Sequence, residues 1–127
     1  MTNLVDSSGW LEYLIKGSNG PIFLPIIQKT QELIVPTIVI YEVFKRVRLE
    51  FGIESALDIT GVMSRGQEVG LDREIAIGAA EISLDLKLAM ADSIILATAR
   101  AYDAILWTQD AHFRGLENVE FFEKLKD

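Results

Sequence analysis

The chain has 127 residues, 50% of them apolar and 24% charged, which suits one soluble globular domain built around a single core. Cysteine is absent, which excludes disulfides and thiolate metal sites, and the one histidine, His112, excludes the usual His-rich zinc centre. The net charge of −7 argues against strong non-specific binding of nucleic acid, which rests on Lys and Arg contacts to phosphate, unless metal ions held by some of the carboxylates invert the local field. No apolar run is long enough to span a bilayer, because Leu33 to Val43 is interrupted by Pro36, Thr37 and Glu42. Asp6 follows the N-terminus almost at once, so the expectation is a cytoplasmic chain with no secretory signal and no membrane contact.

Strand and helix patterns alternate along the whole chain. Asn3 to Val5 reads as a short apolar strand, and Ser7-Ser8 suits the cap of a helix running through Lys16 with Trp10, Leu11, Leu14 and Ile15 as its apolar stripe. After the break at Gly17-Ser18-Asn19-Gly20, Pro21 suits the first turn of a second helix to about Thr30. The stripe with Trp10, Tyr13 and Leu14 reads as core, and the part of the apolar face of these two helices that stays exposed is the expected inter-chain contact. Leu33-Ile34-Val35 is a buried strand, and Pro36-Thr37 opens a long helix with Ile40, Phe44, Val47 and Phe51 on one face, ended by Gly52. A further helix is expected from Glu54 to Ser64, then a short strand at Val69. Asp72 is read as the N-cap of a helix carrying Ile75, Ala79, Ile82 and Leu86. Asp92 to Arg100 is small or apolar on every face and reads as a helix buried against a sheet, with Asp92 itself suited to a cap. Ala104 to Trp107 is the clearest strand, and Val119 to Phe121 an edge strand. The order implies one α/β domain over residues 1–127, with a central, mainly parallel sheet of four to five strands flanked by helices.

Four acidic residues, Asp6, Glu42, Asp92 and Asp110, map to places where strands hand over to helices, the ligand-binding edge of an open parallel sheet. Carboxylates gathered there repel one another unless a hard divalent cation joins them, and Mg²⁺ or Mn²⁺ prefers oxygen ligands. Each has an ordinary alternative. Asp6 and Asp92 can be helix caps, Asp110 can close an Asx-turn, and Glu42 can be a solvated partner of Lys45 and Arg46. Against the last stands the apolar character of Ile38 to Phe44, where a lone carboxylate is costly to desolvate. Thr108, two residues before Asp110, falls on the same side of a strand and is suited to orient a carboxylate or simply to ordinary strand packing. Ser7 and Ser8 divide between capping and the site. Arg114 is a candidate phosphate contact, whereas His112 reads as a surface histidine in a loop. The Lys45-Arg46-Arg48 group reads as a solvated helix face. No phosphate-binding loop, dinucleotide fingerprint, serine elbow or HExxH pair is present, and Asp6-Ser7-Ser8 lacks the second aspartate of an aspartyl-phosphate phosphatase, so metal-activated water is favoured over a covalent phosphoryl intermediate.

Asp6-Ser7-Ser8, Glu42, the block Ala91-Asp92-Ser93-Ile94-Ile95-Leu96-Ala97-Thr98-Ala99 and Thr108-Gln109-Asp110 followed by Phe113 resemble a PIN-domain ribonuclease, over essentially the whole chain. The small size resembles the VapC-like toxins of type II toxin–antitoxin pairs. The resemblance implies that Asp6, Glu42, Asp92 and Asp110 are catalytic and hold one or two Mg²⁺ or Mn²⁺ ions, supported by Thr108 and by Ser7 or Ser8. It implies hydrolysis of single-stranded RNA, a homodimer, and a cognate antitoxin that covers the acidic cleft. The alternatives are a PIN-like nuclease acting in RNA processing or on DNA, and a non-enzymatic receiver-like acidic pocket. The receiver is disfavoured because serines follow Asp6 and no lysine occurs between Thr108 and Lys124.

Overall fold

The structure, a computed structural model, describes residues 1–125. Five strands, β1 (Thr2–Val5), β2 (Leu33–Pro36), β3 (Gln67–Val69), β4 (Ala104–Thr108) and β5 (Val119–Phe121), form one sheet in the order β3-β2-β1-β4-β5. Every pairing is parallel, with Val5 opposite Trp107 and Leu4 opposite both Ile34 and Leu106. Among the described residues six helices flank it: α1 (Ser7–Leu14), α2 (Gly20–Gln28), α3 (Thr37–Phe51), α4 (Ile53–Met63), α5 (Arg73–Leu86) and α6 (Met90–Ala101).

Parallel strands covered on both faces read as continuous apolar runs, and β1 and β2 do so: Leu4, Val5, Leu33, Ile34 and Val35 are all buried. β4 alternates instead, burying Ala104, Leu106 and Thr108. α6 is buried from Ser93 to Ala99, as a helix made of small and apolar residues allows. No helix of the described residues is long and apolar enough to cross a membrane.

Two expectations about the elements need correction. The first helix ends at Leu14 rather than Lys16, which takes a left-handed backbone with φ 56°. α3 buries Val39, Val43 and Val47, with Ile40 and Phe44 half-buried beside them and Phe51 53% exposed. Val47 is common to both faces, and the inward stripe is turned by about 70° from the expected one. Trp10 is core, as its place in the apolar stripe of α1 leads one to expect, and it packs edge-on against Tyr13.

Chain direction fixes where a ligand can bind. From β1 the chain moves outward to β2 and β3, while β4 leads the other way to β5. The reversal between β1 and β4 is the topological switch point, and the crevice beyond the carboxyl ends of those two strands is the fold's natural site.

Candidate metal centre

Asp6 and Asp110 leave the two strands that border the switch point. The Asp6 amide continues the β1–β4 pairing by donating to the Trp107 carbonyl at 3.2 Å, which locks the residue against the end of β4. Its carboxylate is the N-cap of α1: Oδ1 accepts the Gly9 amide at 3.0 Å and the Ser8 hydroxyl at 2.6 Å. The cap is therefore Asp6, and Ser7 and Ser8 are free for other work. The Thr108 hydroxyl donates to Asp6 Oδ2 at 2.5 Å and accepts the Asp110 amide at 2.9 Å. Thr108 orients the Asp6 carboxylate directly and Asp110 through its backbone, rather than through the Asp110 side chain. Each carboxylate oxygen has two lone pairs, so Oδ1 of Asp6 is filled by its two donors and Oδ2 keeps one for an ion.

Glu42 and Asp92 reach the same edge by different routes. Neither follows a strand directly. Glu42 stands in the second turn of α3, on the side of the Val39-Val43-Val47 stripe away from Phe44, and its Oε1 accepts the Ser7 hydroxyl at 3.0 Å. Asp92 is in the first turn of α6, whose cap position is Ala89, so the expectation that Asp92 caps the helix is not met. The positive end of the helix still favours its negative charge.

Burial and mutual repulsion act on these groups in the same direction. Asp6, 2% exposed, is pushed up to about 6, by burial first and by the Asp110 charge last, against three hydrogen bonds that lower it. Glu42 is raised by burial and by the charges of Asp92 and Asp110. Asp92 is raised by burial and by Asp110, while His112 opposes the shift. The couplings link all four carboxylates into one electrostatic cluster, a pattern that concentrates at functional sites.

His112 is exposed, as expected of a surface histidine, yet its ring also turns toward the carboxylates. Asp110 caps a 3₁₀ turn, Ala111–Phe113, by accepting the His112 amide at 2.9 Å. That turn brings His112 Nδ1 to 3.0 Å from Asp92 Oδ2 and 3.3 Å from Asp110 Oδ1. One ligand atom each from Asp92, Asp110 and His112 all lie within 4.8 Å of one another. Two carboxylate oxygens and an imidazole in that space fit a divalent cation, and Asp6 and Glu42 are coupled to the group by charge. The Asp-Ala-His spacing after a strand was the available signal. Arg114 is exposed, and its guanidinium lies 5.4 Å over the Phe121 ring.

Two shallow clefts adjoin the carboxylates. One, about 330 Å³, is lined by Ser7 and Glu42 together with Lys45 and Arg46. The other, about 300 Å³, is lined by Ser8 and Asp110 together with Arg46 and Lys124. Roomier clefts of about 680 Å³ lie between α1 and α2 and along α3, and neither is lined by a carboxylate. Behind the site Glu12, 2% exposed, accepts the Asn19 amide at 3.0 Å. The Asn19 side chain in turn donates to Gln109 Oε1 and to the Glu123 carbonyl, both at 3.0 Å. This brace ties the α1–α2 turn to the segment carrying Asp110.

A five-stranded parallel sheet with an acidic cluster at its switch point defines a class of α/β domains, and comparison with known proteins places the chain within it. The sequence pattern of the PIN domain matches residues 4–119, and the chain belongs to that family. No curated protein sequence matches it. Among solved structures it is similar to a chain of a toxin–antitoxin complex from Klebsiella pneumoniae (TM-score 0.80, 20% identity, covering 96% of this chain and 99% of that one). It is also similar to a chain of VapBC2 from Rickettsia felis bound to a promoter DNA fragment (0.75, 16%, 98% and 99%). A third similar structure is VapC20 from Mycobacterium tuberculosis, a sarcin-ricin loop cleaving toxin (0.73, 12%, 88% and 92%). At these identities the likeness is one of fold.

Proposed function

We propose that the chain is a Mg²⁺- or Mn²⁺-dependent endoribonuclease that hydrolyses RNA phosphodiester bonds, and the toxin of a VapBC-type pair. The observation that carries the reading is the coupling of Asp6, Glu42, Asp92 and Asp110 at the switch-point edge of a PIN domain, with three of them raised by burial and by one another's charge. Asp92 and Asp110 would hold the ion, with Asp6 Oδ2 and Glu42 completing the acidic wall. When bound, the ion supplies activation of a water and neutralisation of charge developing on the scissile phosphate. The chain's own part is positional. Thr108 and Ser8 aim the Asp6 carboxylate, Ser7 holds Glu42, and Asp110 is fixed by its amide bond to Thr108.

The structural neighbours that are toxin–antitoxin complexes support a cognate antitoxin as partner. The apolar clefts along α1–α2 and α3 are suited to antitoxin binding and to a homodimer. Arg114, turned onto Phe121, is proposed as a phosphate contact only after that stacking is released.

The test is incubation of the purified chain with labelled single-stranded RNA in Mg²⁺, in Mn²⁺ and in EDTA, alongside Asp92→Asn. Metal-dependent cleavage that the variant loses is the expected result. Full activity in Asp92→Asn, or in EDTA, overturns the assignment.

A further inference from the structure

We infer that His112 is an inner ligand of the metal ion, through Nδ1, and that it shifts the site's preference from Mg²⁺ toward Mn²⁺. The inference rests on the metal-dependent reading above and adds a nitrogen donor to what is otherwise an all-oxygen site. Three features carry it. The donor atoms come from three separate backbone positions, the first turn of α6, the exit of β4 and the 3₁₀ turn, yet converge within 4.8 Å. The Nδ1 separations of 3.0 and 3.3 Å from Asp92 Oδ2 and Asp110 Oδ1 match neighbouring ligands of a six-coordinate ion, whose octahedral edge is about 3 Å for bonds of about 2.1 Å. The His112 backbone is itself held by Asp110, whose Oδ1 accepts its amide, so the ring is presented by the carboxylate it would share the ion with.

Imidazole adds more affinity for ions later in the transition series than for Mg²⁺, which binds oxygen and sheds water reluctantly. An Asp-Asp-His face therefore discriminates where carboxylates alone do so weakly. Two oxygens and one nitrogen also leave positions open for water and a substrate oxygen.

His112 is the only histidine of the chain, so imidazole nitrogen seen by a bound ion has one possible source. The experiment is pulsed EPR on the tag-free full chain loaded with Mn²⁺, compared with His112→Ala and with Asp92→Asn. Strong nitrogen modulation in the wild type, absent in His112→Ala, is the expected result. Calorimetry should show the variant's Mn²⁺ affinity falling at least about tenfold more than its Mg²⁺ affinity. The side chain is 68% exposed, so its removal leaves the fold intact. Bound Mn²⁺ that Asp92→Asn releases, without nitrogen modulation, overturns the inference and leaves the nuclease reading standing. An unchanged Mn²⁺/Mg²⁺ ratio in His112→Ala overturns the claim of preference. Failure of the wild type to bind Mn²⁺ at all overturns both readings together.

Discussion

Asp6 shows how a single side chain can serve structure and site at opposing costs. It is buried and satisfied by three donors, as a good cap should be, yet burial still raises it from an ordinary 3.8 to about 6. A native-state value above the unfolded one means that the folded chain binds more protons between those pH values. Stability from this group is therefore fully present below about pH 4 and is lost as pH rises through about 6. The amount at stake is about 3 kcal/mol at pH 7, from a shift of about two units. Asp6→Asn removes the penalty while its Oδ1 still accepts from Gly9 and Ser8. Urea denaturation in EDTA should find the variant more stable than wild type at pH 7 and close to it at pH 4. A wild-type advantage at pH 7 would mean that the carboxylate is not strained in the metal-free chain. Addition of Mn²⁺ should reverse the order, because the ion stabilises only the ionised form.

At the scale of elements, the site depends on how closely α1 is pressed against β1. A Cβ on Gly9 would lie 2.6 Å from Val5 Cγ1 and 2.9 Å from the Phe23 ring, and both neighbours are wholly buried. Gly9→Ala must push α1 outward and with it Ser8, whose hydroxyl reaches Asp6 and accepts the Gln109 amide. The expected loss is about 1–3 kcal/mol of stability by overpacking, with cleavage falling further than the stability loss explains. Thermal melting and kcat measured on the same preparation separate the two effects. Wild-type values for both would show that α1 has slack.

These elements also mark what the sequence made legible. The strand cores Leu4-Val5, Leu33-Ile34-Val35 and Ala104-Trp107 announce themselves by composition, and α6 by its small residues. Asp6 and Asp110 were located because turn residues directly after strands fall at the carboxyl edge. Glu42 and Asp92 belong to helices, and their approach to that edge depends on the angle at which α3 and α6 cross the sheet, which no local pattern encodes. The turn of the α3 stripe onto Val39 and Val43 has the same origin, since packing of the helix selects its face. His112 is exposed, as expected of a surface histidine, but the approach of its ring to Asp92 depends on the Asp110-capped turn, and the Glu12–Asn19–Gln109 brace joins residues distant in sequence, so neither is encoded locally.

For the whole molecule, a net charge of −7 and a wall of carboxylates oppose the approach of RNA. Screening limits that repulsion to about 10 Å at 0.1 M salt, so a few well-placed cations next to the acidic cluster can outweigh a distant excess of negative charge. The two clefts beside the carboxylates share one cation, Arg46, with Lys45 lining the first and Lys124 the second. Arg46 is an exposed residue whose Nε donates to Glu50 at 2.6 Å, an i,i+4 surface pair of little structural weight. Arg46→Ala, made in the Asp92→Asn background that is expected to lose cleavage, should leave the melting temperature unchanged. It should weaken single-stranded RNA binding at every salt concentration and lower the slope of log affinity against log salt by about 0.7, the value for one lost phosphate contact. Fluorescence anisotropy across a salt series measures both. An unchanged slope would mean that the RNA backbone bypasses these clefts, and the strand would then have to approach from the His112 side of the cluster.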